Sequence, residues 1–198
     1  MGKVVKGVLV VLFLVGLIYL VLPGPKSINE FNYLPNSLKS DLAGDTWQNS
    51  NIAAFYSNNW RKEATEYYYE EFKSLYCQEI VFGLTNPLCF IAPRFINHPP
   101  ERAFDYIRDQ QESTYLEEYY LPFRETLFVN GYEPIGKDGK RFSVSSIPLE
   151  VGDTIYASKV TVRFFPNETV PRVLIYIMSW GLGFVLFLLT KKSIKEKA

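Results

Sequence analysis

Two long apolar runs stand at the two ends of this chain, and they limit what it can fold into more than any other feature. Near the start, "VVKGVLVVLFLVGLIYLVL" covers Val4 to Leu22 with a single charge, Lys6. Near the end, "VLIYIMSWGLGFVLFLLT", Val173 to Thr190, carries none. Each is close to the ~20 residues that take a helix across a hydrocarbon core about 30 Å thick. Both are read as transmembrane helices, at 4–22 and 173–190. "VLPGPKS" follows the first, with prolines at 23 and 25 in place of the small-residue cleavage site of a secretory signal. That run is therefore read as an uncleaved signal anchor.

Lysines set the orientation. Lys3, Lys6, Lys191, Lys192, Lys195 and Lys197 lie in or beside the outer flanks of the two runs, against the single acid Glu196. A basic excess of this kind marks the cytoplasmic side, so both ends are expected inside the cell and residues 23–172 outside it. The tail at 191–198 is expected to lie against anionic lipid headgroups through Lys191, Lys192 and Lys195. Six of the 21 basic residues and one of the 21 acids fall outside the central segment. That leaves it 15 and 20, a net charge of −5. A negative surface has no counterions to release from a phosphate backbone, which argues against nucleic acid as a partner. The partners expected are the bilayer and an envelope protein. Self-association through the second run is a further expectation, because Ser179 and Gly183 form a small-xxx-small pair.

Cys77 and Cys89 lie in this segment, twelve positions apart around "TNP". They are placed to close a loop; a bridge there restricts the unfolded chain and is worth about 3 kcal/mol. The competing arrangement is two buried free thiols. With one histidine beside them, the cysteines fall short of a zinc ligand set. No pattern calls for a metal or any other cofactor.

Along the central segment, residues 23–43 are rich in Pro, Asn and Ser and show no periodicity, so they read as an extended linker. An α+β domain is expected at 44–168, with about two helices and a four- to five-stranded antiparallel sheet. "AGDTWQNSNIAAFYSN" and "VGDTIYASKVTVRFFPN" each read as a turn followed by a strand. In "NWRKEATEYYYEEFKSLY", Trp60, Ala64, Tyr67, Tyr68, Phe72 and Leu75 recur at helical spacing, with Ser57 or Asn58 as cap. A second helix is expected from Asn97 as N-cap, with Pro99 and Pro100 in its first turn. "STYLEEYYLPFRETLFVNG" and "KRFSVSSI" read as strands, with Asp138-Gly139 as a hairpin turn between them.

Chemistry-bearing residues are few. His98 is the sole histidine and so the natural general base. Glu101 lies one helical turn on, and Glu118 is a further carboxylate that could work with it. Glu117 and Glu118 are adjacent on a strand and point to opposite faces, so they cannot flank one glycosidic bond. No G-x-S-x-G, H-E-x-x-H, S-x-x-K or phosphate-binding loop occurs. A structural role for His98 is the simpler reading. The run "IVFGLTNPLCFIAPRFI", Ile80 to Ile96, is long, apolar and poor in charge. It roofs the core, rests in the membrane interface or receives a partner through Phe82, Phe90 and Phe95.

The strings "GDTWQNSNIAAFYSNNWRKE", "NHPPERA" and "STYLEEYYLPFRETLFVNGYEP" together resemble an uncharacterised family of small two-span membrane proteins of reduced-genome bacteria. The likeness covers about residues 35–135. It implies a bacterial envelope and brings no site residues. The function expected is that of a membrane-anchored accessory subunit whose outer domain binds another envelope component. The alternative is an envelope hydrolase acting on cell-wall glycan or peptide with His98 and Glu101 or Glu118.

Overall fold

The computed structural model describes residues 2–45, 51–77, 79–81, 83–98, 115–131 and 149–197. It divides into two units, 1–22 with 167–198 and 23–166. The first consists of two helices, α1 (Lys3–Val21) and, last in the chain, α3 (Thr169–Lys197). Their most apolar windows have mean hydropathies of 2.8 and 2.2, long and apolar enough to cross a membrane. Most of their large apolar side chains are exposed, from Val4 through Val15 and from Leu174 through Leu189. Water would penalise that much bare hydrocarbon heavily.

The pair has its own packing. Phe13 of α1 stacks on Tyr176 of α3 at 5.6 Å between ring centres and meets Trp180 edge-on at 5.6 Å. The Tyr176 hydroxyl donates to the Phe13 carbonyl at 3.1 Å. Gly16 provides the notch, because a Cβ there would collide with the Tyr176 phenol. At the other end of this contact, Arg172 donates to the Leu22 carbonyl at 3.4 Å and to the Asn167 carbonyl at 3.1 Å. A helix leaves its last carbonyls without intrahelical partners; the guanidinium takes one of them. Pro171 falls in the first turn of α3, where a missing N–H costs nothing. The helix runs beyond the expected 173–190 on both sides.

The second unit is α+β. Among the described residues its sheet has six strands, not the four or five expected. They are β1 (Ser37–Lys39), β2 (Ile52–Ser57), β5 (Arg94–His98), β6 (Tyr115–Tyr120), β7 (Thr126–Gly131) and β10 (Ser158–Phe165). Their order is β1-β2-β10-β7-β6-β5, every pair antiparallel. Two short ribbons accompany it, β3 (Glu79–Val81) with β4 (Leu84–Thr85) and β8 (Leu149–Val151) with β9 (Thr154–Tyr156). Helix α2 (Arg61–Ser74) covers one face.

Two strands account for the excess. β1 lies in the segment expected to be a linker, which the structure makes part of the domain. Ile28, Phe31 and Leu34 are buried, and Phe31 packs on Phe72 of α2 and Phe164 of β10. Three apolar residues at spacing three follow a 3-10 turn, too short a pattern to stand out among prolines and asparagines. β5 occupies positions read as the start of a helix: Asn97 and His98 are its last residues, not an N-cap and first turn. The residue before a proline is pushed toward extended backbone, and His98 precedes Pro99. The helix expected after Pro99, and the hairpin at Asp138-Gly139 with the strand beyond it, lie outside the described residues.

The face toward α2 is the core. Phe55, Leu127, Val129, Val160, Val162 and Phe164 meet Ala64, Tyr68 and Phe72 there. Alternation puts the intervening residues on the opposite face, where Tyr56 packs on Tyr156 of β9. The two similar strings prove to be neighbours: β2 and β10 pair directly, Phe55 opposite Val160. Helix α2 starts later than its expected caps. Glu63 accepts from the Trp60 amide at 2.8 Å. Ser57 Oγ instead accepts from Asn59 N, and Asn58 Oδ1 from Ala157 N.

Candidate functional site

The pairing of β5 with β6 places His98 opposite Leu116 and Ile96 opposite Glu118. His98 and Glu118 are thus diagonal neighbours on the face away from α2, a separation that long side chains bridge. Nε2 lies 2.7 Å from Glu118 Oε2, with the two side chains 14% and 19% exposed. The imidazole also lies along the Phe128 ring at 6.2 Å, and Phe128 meets Phe165 edge-on. This carboxylate orients the ring. Chemically the pair is a base with its orienting acid. Among the described residues, no serine hydroxyl bonds to the ring and the two cysteines are joined to each other. Glu101, the other expected carboxylate, lies outside the described residues.

Glu117 points the other way. It accepts from Arg61 Nε at 3.0 Å, Arg61 Nη2 at 2.8 Å and the Tyr119 hydroxyl at 2.6 Å. Arg61 Nη2 also donates to Asn97 at 3.0 Å. The cluster joins α2 to β5 and β6 and is structural. Burial raises the Tyr119 pKa, and the hydrogen bond to Glu117 raises it further.

A second cluster braces one end of the sheet, where β6 turns into β7. Leu121 N donates to Glu125 O and Arg124 N to Leu121 O, closing the turn. Arg124 and Glu125 are buried and paired at 3.1 Å. Tyr76 donates to Glu125 at 2.7 Å, and burial, then the Glu125 charge, pushes its pKa up. Gly24 presses on this cluster: a Cβ there would lie 2.8 Å from Arg124 Nη2 and 2.8 Å from the Tyr76 ring.

The disulfide Cys77–Cys89 ties the end of α2 to the 3-10 turn Pro87–Phe90. Asn86 caps that turn and donates to the Pro23 carbonyl at 2.9 Å. Of the aromatic residues expected on a binding surface, Phe82 lies outside the described residues. Phe90 is 84% exposed and Phe95, on edge strand β5, is 62% exposed. They stand on different elements. The run Ile80–Ile96 is a ribbon, a turn and a strand in succession.

Sequence reasoning passed over Phe123. It is 82% exposed at the tip of the β6–β7 turn, and its φ of 62° is in the left-handed region. An aromatic residue inside "LPFRE", between two strands, was the available signal. A hollow of about 110 Å³ near Phe31, Tyr33, Phe55 and Tyr68 is far smaller than the several hundred Å³ of a ligand site.

Comparison with protein-family models, with curated proteins and with solved structures returns no match.

Proposed function

We propose that the protein is a membrane-anchored accessory subunit of a bacterial envelope, whose outer domain binds another envelope component. The observation that carries this is the free edge of the sheet. Among the described residues β5 pairs with β6 alone, and it exposes Phe95 and Ile96. An apolar edge is a place where a partner's extended segment or apolar surface adds on. The two exposed apolar helices support anchoring, and the disulfide supports an oxidising compartment. The lysines at both ends support a topology with both ends cytoplasmic and the domain outside. The resemblance to bacterial two-span proteins agrees with this placement.

In-cell crosslinking, followed by mass spectrometry of the solubilised protein, tests the reading. A defined partner is expected, with recovery falling at least tenfold for Phe95→Ser while the disulfide still forms. Recovery of the protein alone, at monomer mass, would sink it.

The His98–Glu118 contact favours one other reading, a hydrolase of cell-wall glycan or peptide with Glu101 as a further candidate acid. It requires the reconstituted protein to release soluble fragments from isolated cell wall, and His98→Gln and Glu118→Gln to stop the release. An inert wild-type protein removes it.

A further inference from the structure

Strand β5 is bounded by prolines on both sides, Pro93 before Arg94 and Pro99 after His98. A proline has no N–H to give a ladder, so an added strand can pair with the five residues between them and no further. All of them but His98 are exposed. Alternation puts Arg94, Ile96 and His98 on the face away from α2. Phe95 and Asn97 take the other face, where Asn97 accepts from Arg61 of α2.

This edge is complementary to itself. A two-fold axis normal to the sheet at Ile96 lays β5 antiparallel against β5 of a second copy. Ile96 then meets Ile96, Phe95 meets Asn97, and Arg94 meets His98. The charges match as well. Among the described residues no carboxylate pairs with Arg94, and Glu118 gives His98 only Oε2. Glu118 Oε1 is left to accept from the guanidinium that arrives beside His98, a charge-assisted contact repeated at each end of the pairing. The central segment has more acids than bases, so two copies repel except where such opposite charges meet.

Register is restricted in the same way. A slip by one residue sets the outer face of one copy against the α2 face of the other. A slip by two brings Pro93 opposite Asn97, or Pro99 opposite Phe95, and loses ladder bonds. Only the pairing centred on Ile96 uses all five residues. The other edge of the sheet competes poorly: β1 has three residues and follows Asn36, whose φ of 54° breaks the extended backbone. A two-fold pairing uses the β5 edge of both copies and closes at two.

We infer that the partner at the β5 edge is a second copy of this chain, joined by antiparallel β5–β5 pairing centred on Ile96. This rests on the proposal that the edge is the binding surface, and it names the occupant. Five paired residues make a small interface, so the pairing is expected between chains held in one bilayer, where their local concentration is high.

The test uses the full-length protein in native membranes, with the Cys77–Cys89 bridge intact. Ile96→Cys is oxidised with copper phenanthroline beside Leu84→Cys and Ile155→Cys, exposed positions on β4 and β9. A disulfide-linked dimer is expected at Ile96→Cys, severalfold above both references, because the axis brings that residue against itself. Adding Arg94→Glu, which sets a carboxylate against Glu118, is expected to reduce the yield severalfold. Dimer at Ile96→Cys no greater than at the two references overturns the inference, as does a yield that Arg94→Glu leaves unchanged. A photoreactive benzoylphenylalanine in place of Phe95 separates this failure from failure of the edge reading. An adduct with a different protein and no dimer overturns the second copy and leaves the edge as a binding surface. No adduct of either kind overturns both.

Discussion

Three tyrosines of the central domain hold their hydroxyls in surroundings that oppose ionisation. Burial raises the pKa of Tyr68, Tyr76 and Tyr119, with the neighbouring Glu125 and Glu117 adding to it for the last two. A tyrosine whose folded pKa lies above its unfolded value of 10.0 stabilises the fold fully below that pH. The folded state keeps a proton that the unfolded state releases above it, so stability falls as pH rises beyond 10.0. The expected slope is about 1.4 kcal/mol per pH unit for each tyrosine. Absorbance at 295 nm should therefore rise cooperatively with loss of near-ultraviolet circular dichroism. Gradual ionisation of these three before unfolding would contradict their burial. Close packing yields a second prediction. Gly24→Ala puts a methyl group into Arg124 and the buried Tyr76, and the melting temperature is expected to drop by the equivalent of about 1–3 kcal/mol. An unchanged melting temperature would mean this contact is loose.

The elements differ in how openly the sequence displays them. The apolar helices, α2 and the β6–β7 hairpin announce themselves because each has a run of one periodicity longer than a single turn or pleat. Glu117 and Glu118 could be assigned to opposite faces from adjacency alone, and they bond to Arg61 and His98 respectively. The partnership of His98 with Glu118, twenty positions away, could be guessed as chemistry but not as geometry. It depends on the register of β5 against β6, and β5 was hidden behind two prolines that suit a helix start equally well. β1 was hidden differently: its three residues have meaning only beside β2. The disulfide was suggested by spacing and compartment, and the structure joins Cys77 to Cys89. Replacing both by serine is expected to cost about 3 kcal/mol of domain stability, read as a lower melting temperature that reductant no longer affects. In the helical pair, Gly16→Leu should part α1 from α3, because the Tyr176 phenol fills that notch. A shift in Trp180 emission checks it.

For the whole molecule, the lysines at the outer ends of the two apolar helices carry the proposed topology. Reporter domains fused at either end should read as cytoplasmic, and a reporter inserted at Asp153, in the turn between β8 and β9, as extracytoplasmic. Changing Lys191, Lys192, Lys195 and Lys197 together to glutamine should invert a measurable fraction of molecules, because the C-terminal flank then loses its basic excess. A population that stays uniform would show that the N-terminal lysines suffice.

The strand order has a consequence for how the protein is made. β10 is the last strand of the domain to leave the ribosome, yet it lies in the middle of the sheet, between β2 and β7. Until it arrives, the nascent chain holds two separate half-sheets, β1–β2 and β5–β6–β7, with no shared edge and an unfinished core between them. Three residues separate the end of β10 from the first turn of α3. On the proposed topology the domain closes at about the moment α3 reaches the insertion machinery, and a chain truncated before Ser158 would leave apolar β2 and β7 edges open to any holdase or protease within reach.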